Sequence, residues 1–400
     1  MKILWACSIF LHPTTRGGQI RTLETLKQLH KRHEVHYVAL ADPADQEGPA
    51  RAVEYSSKAY PIPYRIAPKT SAKFYGQLVE GVFSSVPVVV FRKKSDALRA
   101  KVAELIEREK FDSVVCDFLT PSINMPQLDQ CVLFQHNVET MIWRRLAETS
   151  TGFKQLYMER QAARMFEYEK RVCQTVRHTI AVSEIDAQLM REMFGVTNVE
   201  AVPTGVDIEY FAKPASAKRE TDMVFVGSMD YLPNVDGILW FTQEVLPLIR
   251  KKRPDCTLTV VGRKPPREIQ AIAEADPKVK ITGTVPDVRP HLWGGAMSIV
   301  PLRVGGGTRL KIYESMAAST PIVSTTIGAE GLEINPPRDI RIGDTAEEFA
   351  AQTLALLDSE NQRDAVARAA WELVDAKFSW EKISRDFENI LERTSAGTTV

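Results

Sequence analysis

Three consecutive glycines, Gly305 to Gly307, stand directly before a segment with helical spacing. Glycine adds no packing and loses much conformational freedom on folding, so such a run is typical of backbone that takes a positive φ or approaches a ligand closely. In the segment that follows, apolar residues recur near the helical period, which places the glycines at a helix N-terminus. The unpaired N–H groups and the partial positive charge at that end can hold a phosphate group.

Two cationic side chains, Arg309 and Lys311, belong to the same turn and would add positive charge to a phosphate site. The pattern is not a P-loop, which ends in Gly-Lys-Ser/Thr, and it does not follow a first strand as the dinucleotide fingerprint does. A tight strand-to-helix turn with solvated basic residues is the alternative. Both interpretations stand at this point.

A second glycine pair, Gly17 and Gly18, follows the first predicted strand and precedes a predicted helix, with Arg16 and Arg21 nearby. The N–H groups at the start of that helix would face a ligand in the same way. Two such loops, one in each half of the chain, suit a ligand that carries a diphosphate. Two ordinary turns between strand and helix are the alternative.

His136 and Asn137 follow another apolar segment that reads as a short buried strand. Ligands of parallel α/β sheets bind beyond the carboxyl ends of the strands, so these side chains lie on the side where a site is expected. A lone histidine is often structural, but its place at a strand end, before Asn137 and Glu139, favours a functional role.

The elements that must position these residues alternate between strand-like and helix-like segments, as in KILWACSI, GGQIRTLETLKQLHKR and HEVHYVAL. Such βαβ units predict a parallel sheet covered by helices. Pro203 and Gly205 interrupt the alternation, and a second series begins at DMVFVGS. The sequence therefore predicts an α/β protein with two Rossmann-like domains facing a cleft. The predicted boundaries are 1–202 for the first domain, 203–215 for a linker, 216–376 for the second domain, and 377–400 for a C-terminal helix that returns to the first domain and ends frayed.

Composition and charge exclude several other classes of protein. The chain has 51 basic and 51 acidic residues, so its total charge gives no reason to expect a nucleic acid partner. The five cysteines form no C-x-x-C pair and no zinc spacing, which fits a reducing compartment. The opening MKILWACSIF is too short to span a bilayer, and no later apolar run approaches the roughly 20 residues required. We therefore expect a cytoplasmic protein.

Several motifs, taken in order, resemble one enzyme family. VPTGVDIEYF, together with QHNVE, VSE, FVGS, TGTVPDV, PLRVGGGTRLKIYESMA and FSWEK, is similar to the pattern of retaining glycosyltransferases of the GT-B fold in family 4. The resemblance covers nearly the whole chain. Each motif by itself occurs in many proteins. The resemblance depends on finding all of them in the same order along the chain.

The resemblance implies a chemistry. A nucleotide-diphosphate sugar would lie mostly against the C-terminal domain, and the acceptor, a glycan or lipid-linked glycan, would enter from the N-terminal domain. The sugar would move with retention of anomeric configuration. The resemblance also implies that no metal or other cofactor is needed, because helix N-termini and cations neutralise the diphosphate. The chain contains no D-x-D triplet of the kind that anchors a divalent ion in the other main glycosyltransferase fold.

In the family motif, Glu314 matches the second Glu of E-x7-E, which holds the nucleotide ribose. The first Glu, which touches the donor sugar, would stand at Gly306, so the chain departs from the usual pattern here. A subgroup with P-L-R-x-G-G-G-T-R-L-K also carries glycine, and this chain resembles it. Backbone N–H groups of the stretch Gly305, Gly306, Gly307 and Thr308 would then approach the sugar or diphosphate.

The resemblance implies roles for further residues. Lys311 and Arg303 are the leading cations for the diphosphate, followed by Arg309. His136 would lie near the hydroxyls of the donor sugar or the acceptor, while Glu139 is either an acceptor contact or a helix-start residue. The remaining predicted substrate contacts are Gly17, Gly18, Asn137, Gly227 and, for the nucleobase, Val285. Many relatives carry an Arg/Lys pair near FVGS; this chain does not, and Asn234 cannot supply the missing charge.

Two alternatives keep the fold: a nucleotide-sugar 2-epimerase, and a catalytically silent binding protein. The glycine at 306 disfavours the epimerase, which needs carboxylates around the sugar. Residues 70–110 also mix the aromatics Phe74, Tyr75 and Phe83 with Arg92, Lys93 and Lys94. Such a surface is a candidate for peripheral contact with the inner face of a membrane. A core helix followed by a solvated basic turn is the alternative.

Overall fold

The structure is a computed structural model that describes residues 1–14, 17–65, 84–148, 150–304 and 309–395. The chain forms two compact units. The first contains Met1–Pro203 and Ile383–Val400, and the second contains Thr204–Lys382.

The first unit is built on a seven-stranded sheet in the order β3-β2-β1-β4-β5-β6-β7, with every neighbouring pair parallel. Its strands are β1 (Lys2–Cys7), β2 (Glu34–Ala41), β3 (Lys58–Pro63), β4 (Ser113–Asp117), β5 (Cys131–Phe134), β6 (His178–Ala181) and β7 (Val199–Ala201). Its α-helices are α1 (Gly17–His30), α2 (Glu47–Ala50), α3 (Val88–Phe91), α4 (Asp96–Arg108), α5 (Glu139–Glu148), α6 (Gly152–Thr175) and α7 (Glu184–Phe194), with 3₁₀ turns at Arg51–Glu54, Thr120–Asn124 and Leu128–Gln130.

The second unit has a six-stranded sheet in the order β10-β9-β8-β11-β12-β13, again with every neighbouring pair parallel. Its strands are β8 (Thr221–Val226), β9 (Leu258–Val261), β10 (Val279–Ile281), β11 (Gly295–Val300), β12 (Ile322–Ser324) and β13 (Arg341–Ile342). Its helices are α8 (Ile208–Phe211), α9 (Leu232–Trp240), a π-helical turn (Phe241–Val245), α10 (Leu246–Arg250), α11 (Arg267–Ala275), α12 (Arg289–Gly294), α13 (Leu310–Ala317), α14 (Ala346–Asp358) and α15 (Glu360–Lys377).

The strands are short runs of apolar residues, and most of their side chains are buried on both faces, as in β1, β4 and β11. This is the pattern of a parallel sheet covered by helices. The core of the first unit joins strands and helices, for example Leu133 of β5 and Val172 of α6, and Phe225 and Ile299 form part of the separate core of the second. The predicted α/β class with two parallel sheets is thus confirmed.

A last helix, α16 (Trp380–Arg393), contributes its residues from Ile383 onward to the first unit. Phe387 packs on Trp5 and Phe134 with ring centroids 5.5 and 4.9 Å apart. Glu388 accepts hydrogen bonds from the guanidinium of Arg32 at 2.6 and 2.9 Å. These contacts attach the end of the chain to the same sheet that carries β1 and β5.

Candidate active site

The topology of each sheet marks the place where a ligand is expected. In the first sheet the strand order reverses between β1 and β4, and in the second it reverses between β8 and β11. Ligands of doubly wound sheets bind beyond the carboxyl ends of the strands at such a switch point. The predicted residues near Gly18 and His136 lie at the first of these positions, and those near Gly227 and Lys311 lie at the second.

In the second unit, the ammonium group of Lys311 is held at the start of α13. Its Nζ donates a hydrogen bond to Asn234 Oδ1 at 2.8 Å and lies 4.6 Å from the ring centre of Phe225. Gly227 follows β8 directly, and a Cβ there would lie only 2.8 Å from Lys311 Nζ and 2.9 Å from the Asn234 amide nitrogen. A side chain at position 227 would therefore displace Lys311, which explains the glycine.

Asn234 was not predicted as a site residue, because an asparagine carries no charge that could replace the missing Arg/Lys pair. Its amide nitrogen donates to the carbonyl of Ser228 at 2.7 Å, which directs the amide oxygen toward Lys311. Asn234 is buried in the first turn of α9. The sequence did offer a signal for this role, because Asn234 directly follows a proline at the start of a predicted helix, where its side chain could orient a neighbouring group.

Lys311 and Glu314 lie one turn apart on α13, and both are partly buried. Burial lowers the pKa of Lys311 to about 7, with a further contribution from the charge of Arg309. Burial also raises the pKa of Glu314 to about 7, against the opposing effect of Lys311. Within the described residues, the Glu314 carboxylate has no hydrogen-bond or ion-pair partner. Perturbed ionisable groups at a switch point are typical of a binding site, because a ligand can compensate the cost of their burial.

The other predicted residues of the second unit differ in their exposure. Arg309 is buried and donates to the carbonyl of Ile327 at 2.9 Å. Arg303 is exposed and makes a two-nitrogen contact with the Asp236 carboxylate at 2.6 and 3.1 Å. Val285 is partly buried in the loop after β10. The predicted contacts Gly305, Gly306, Gly307 and Thr308 lie outside the described residues.

In the first unit, His136 lies two residues after β5 and is only 4% exposed. Its Nε2 is 2.8 Å from Oδ1 of Asp117, the last residue of β4. Burial lowers the pKa of the imidazole, although the neighbouring Asp117 favours the charged form. The other ring nitrogen, Nδ1, is buried and has no hydrogen-bond partner within the part of the chain that the structure describes. Asp117 was missed by the sequence analysis.

The ring of His136 is held by aromatic neighbours. Phe118 stacks on it with centroids 3.8 Å apart and an interplanar angle of 16°, and Phe134 lies at 4.5 Å. Phe118 has a φ of 69°, which is unfavourable for a bulky residue and typical of functional sites. Gly18 lies beside this pair, since a Cβ there would be 2.6 Å from Phe118 Cζ and 3.5 Å from His136 Nδ1. Gly17 is the first residue of α1.

Arg21, which the sequence analysis placed near a phosphate site, is buried and donates to the backbone. Its guanidinium contacts the carbonyls of Gln135, Ala181 and Val202, and it lies 4.2 Å from the ring centre of Phe134. These bonds connect α1 to the carboxyl ends of β5 and β6. Arg21 therefore fixes the strand ends that carry the site. Arg16 lies outside the described residues.

Glu139 is the first residue of α5, directly after the partly buried Asn137 and the buried Val138. Its carboxylate has no partner among the residues described, and burial raises its pKa to about 7. The backbone N–H groups of Glu139 and Thr140 donate to the buried carboxylate of Glu169 on α6 at 2.9 and 2.8 Å. Burial raises the pKa of Glu169, too, to about 7. Glu169, a charged residue on the apolar face of α6, caps α5 and was not predicted.

Within the described ranges, one group of three side chains could in principle hold a metal ion: Glu34, His36 and Glu109. It lies near the amino end of β2, at the edge of the sheet opposite His136. Lys2 forms ion pairs with the carboxylates of both Glu34 and Glu109. Lys2 therefore already supplies the positive charge that a metal ion would bring to this group. Among the described helices, none is both long and apolar enough to cross a bilayer.

Two α/β units on parallel sheets, with charged and polar groups at both switch points, define a two-domain Rossmann-like protein of the GT-B class. Residues 15–210 match the family model described as Glycosyltransferase Family 4, and residues 220–359 match the model described as Glycosyl transferases group 1. The chain belongs to these glycosyltransferases.

Known relatives and solved structures are similar over long stretches. An uncharacterized 44.6 kDa protein in the cps region of Klebsiella pneumoniae is 21% identical in an alignment of 298 positions that covers 71% of this chain and 75% of that protein. A GDP-mannose-dependent monoacylated phosphatidylinositol monomannoside mannosyltransferase of Corynebacterium glutamicum is 23% identical in an alignment of 235 positions that covers 53% of this chain and 61% of that protein.

Among solved structures, sucrose-phosphate synthase from Thermosynechococcus elongatus superimposes with a TM-score of 0.71 at 17% identity, covering 98% of this chain and 99% of that one. HepE from Anabaena, solved in complex with UDP and glucose, gives a TM-score of 0.65 at 14% identity with the same coverage. At these sequence identities, the similarity to the solved structures shows the fold of this chain and nothing further.

Proposed function

We propose that the protein transfers a sugar from a nucleotide-diphosphate sugar to a hydroxyl of a glycan or lipid-linked glycan, with retention of anomeric configuration. The observation that carries this proposal is α13, where the Lys311 ammonium and the Glu314 carboxylate, which has no partner among the described residues, lie one turn apart at the switch point of the second sheet. A nucleoside diphosphate carries the two groups that match them, an anionic diphosphate and a ribose diol.

In this proposal Lys311 neutralises the charge that develops on the departing diphosphate, and Glu314 accepts hydrogen bonds from the ribose hydroxyls. Backbone N–H groups from Gly305 to Thr308 take the place of the carboxylate that the family usually has at position 306. Arg303 and Arg309 are secondary cations, and Gly227 leaves room for Lys311. The loop around Val285 would contact the nucleobase through its backbone.

The first unit would supply the contacts to the acceptor and the donor sugar. His136, Asn137 and Glu139 follow β5, and Gly17 and Gly18 begin α1, so all five lie at carboxyl ends of strands. In the proposed step the bond between the anomeric carbon and the phosphate oxygen breaks on the face where the acceptor oxygen attaches. The acceptor proton passes to the departing phosphate oxygen. This route depends on orientation and on electrostatic stabilisation, and it uses neither a metal ion nor a protein base.

Nucleoside diphosphate release tests the proposed function. The protein is incubated in EDTA with UDP-glucose or GDP-mannose, because the two relatives above involve UDP with glucose and GDP-mannose. We expect release of UDP or GDP that increases when glycan or lipid extracts are added, and a product that keeps the α configuration of the donor. Binding of both donors without release would contradict transfer, and an epimerised nucleotide sugar would indicate the epimerase. A β-linked product would contradict retention.

We also propose a cytoplasmic location with peripheral contact of the first unit to an anionic membrane. The predicted aromatics Phe74, Tyr75 and Phe83 lie outside the described residues. Helices α5 and α6 carry other exposed side chains that support membrane contact. Phe153 is 96% exposed and Leu156 67% exposed at the start of α6. The cations Arg144, Lys154 and Arg160 are exposed on the same two helices. Exposed apolar side chains among cations are typical of surfaces that bind anionic lipid.

Vesicle flotation tests this contact. We expect the wild-type chain to float with vesicles of phosphatidylcholine and phosphatidylglycerol, and the double variant Phe153→Ser/Leu156→Ser to float several-fold less. Val53→Ser is the matched control, since Val53 is an apolar side chain of the same unit that is 74% exposed elsewhere. A wild-type chain that stays at the bottom of the gradient with anionic vesicles would rule out the contact.

A further inference from the structure

The buried carboxylate of Asp117 is surrounded by hydrogen-bond donors. Its Oδ2 accepts from the indole N–H of Trp5 at 3.1 Å and from the hydroxyl of Thr22 at 2.8 Å. Its Oδ1 lies 2.8 Å from His136 Nε2. Indole is only a donor, and an ionised carboxylate is only an acceptor, so this arrangement suits the carboxylate form of Asp117. The guanidinium of Arg21, which is buried close by, adds a compensating positive charge.

This carboxylate determines which nitrogen of His136 carries the proton. Because Asp117 accepts, Nε2 must donate and therefore carries the hydrogen in the neutral ring. Burial and the positive charge of Arg21 both lower the pKa of the imidazole, while Asp117 raises it. In the neutral ring with the proton on Nε2, Nδ1 keeps its lone pair.

Nδ1 is a buried acceptor with no protein donor in the described residues. The stacked ring of Phe118 and the tilted ring of Phe134 hold the imidazole, and the backbone of Gly18 lies on the Nδ1 side. A buried acceptor that lacks a donor destabilises the protein. A donor brought by a ligand would remove this cost.

We propose that Asp117 is a positioning residue that holds His136 as the Nε2–H tautomer, so that Nδ1 accepts a hydrogen bond from a hydroxyl of the bound sugar or acceptor. The proposal rests on the glycosyl transfer proposed above.

The tautomer can be read directly from ¹⁵N–¹H correlation spectra of the full chain labelled in its seven histidines, with His136 assigned by its loss in His136→Gln. We expect the Nε2–H pattern at pH 7.5 in the wild-type chain. In Asp117→Asn the amide can either donate or accept, so we expect a mixture of tautomers. An Nδ1–H tautomer or an imidazolium in the wild-type chain would overturn the proposal.

Kinetics then test the positioning role, using whichever of UDP-glucose and GDP-mannose the wild-type chain turns over. We expect Asp117→Asn to lower kcat by about tenfold or more, with a smaller change in the donor KM and a retained cooperative thermal transition. The exposed Asp129→Asn in the same unit is the matched control. An altered tautomer with unchanged kcat would refute the role. If the wild-type chain releases no nucleoside diphosphate, the proposed transfer fails, whereas the spectra still decide whether Asp117 positions His136.

Discussion

Replacing Lys311 by methionine is expected to lower both transfer to the acceptor and hydrolysis of the donor by about a hundredfold or more, the usual loss when one electrostatic contact to a developing charge is removed. Methionine keeps an apolar stem beside Phe225 but removes the ammonium that Asn234 holds. The measurement is nucleoside diphosphate release with and without acceptor. Both activities should fall together, because the leaving group is the same in each.

Lys280→Met is the matched control, since Lys280 is an exposed lysine on β10 of the same unit. It should leave both rates near those of the wild-type chain. A Lys311→Met variant that folds, as shown by its thermal unfolding, and still transfers sugar at the wild-type rate would remove Lys311 from the proposed mechanism.

The lowered pKa of Lys311 also predicts how nucleotide binding depends on pH. In the free protein the pKa of Lys311 is about 7, so that most molecules carry a neutral Lys311 at pH 8. A diphosphate favours the ammonium form, and binding must then take up a proton. The affinity for UDP or GDP should therefore decrease as the pH rises above about 7. Calorimetry at pH 8 in buffers of different ionisation enthalpy measures this uptake, which Lys311→Met should abolish.

The fold could be predicted from the sequence because the patterns that indicate strands and helices lie within each segment. Buried strands are short apolar runs, helices carry their own periodicity, and the interruption at Pro203 and Gly205 lies close to the boundary between the two units. Gly227 and Gly18 lie where the structure leaves no room for a Cβ, so close packing of neighbouring side chains explains both glycines. Their contact with a ligand stays a prediction.

The residues that hold the site in place could not be predicted in the same way. Asp117 meets His136 across 19 residues, Asn234 meets Lys311 across 77, and Glu169 caps a helix that starts 30 residues before it. Each of these contacts is created by strand order and helix packing, which a single sequence does not specify. Each also concerns a buried polar residue, and such a residue must find a partner inside the protein.

The Glu314 carboxylate gives a test that separates ribose binding from diphosphate binding. Glu314→Gln is expected to weaken the binding of UDP or GDP by about tenfold to a hundredfold, because hydrogen bonds to a charged group contribute about 1.5–3 kcal/mol. The titration is best run at pH 8, where a carboxyl group with a pKa of about 7 is ionised in the wild-type chain. Calorimetry of the free nucleotides gives the affinity without any need to know the acceptor.

The decisive comparison uses nucleotides that lack one ribose hydroxyl. The wild-type chain should lose affinity for 2′-deoxy or 3′-deoxy UDP or GDP, whereas Glu314→Gln should lose much less, because the contact is already weakened. Such non-additivity is expected only if the carboxylate and the hydroxyl touch. Glu268→Gln, at an exposed position of α11, is the control and should behave as the wild-type chain does. Equal losses in Glu314→Gln and in the wild-type chain would mean that Glu314 acts elsewhere, for example on the charge of Lys311 alone.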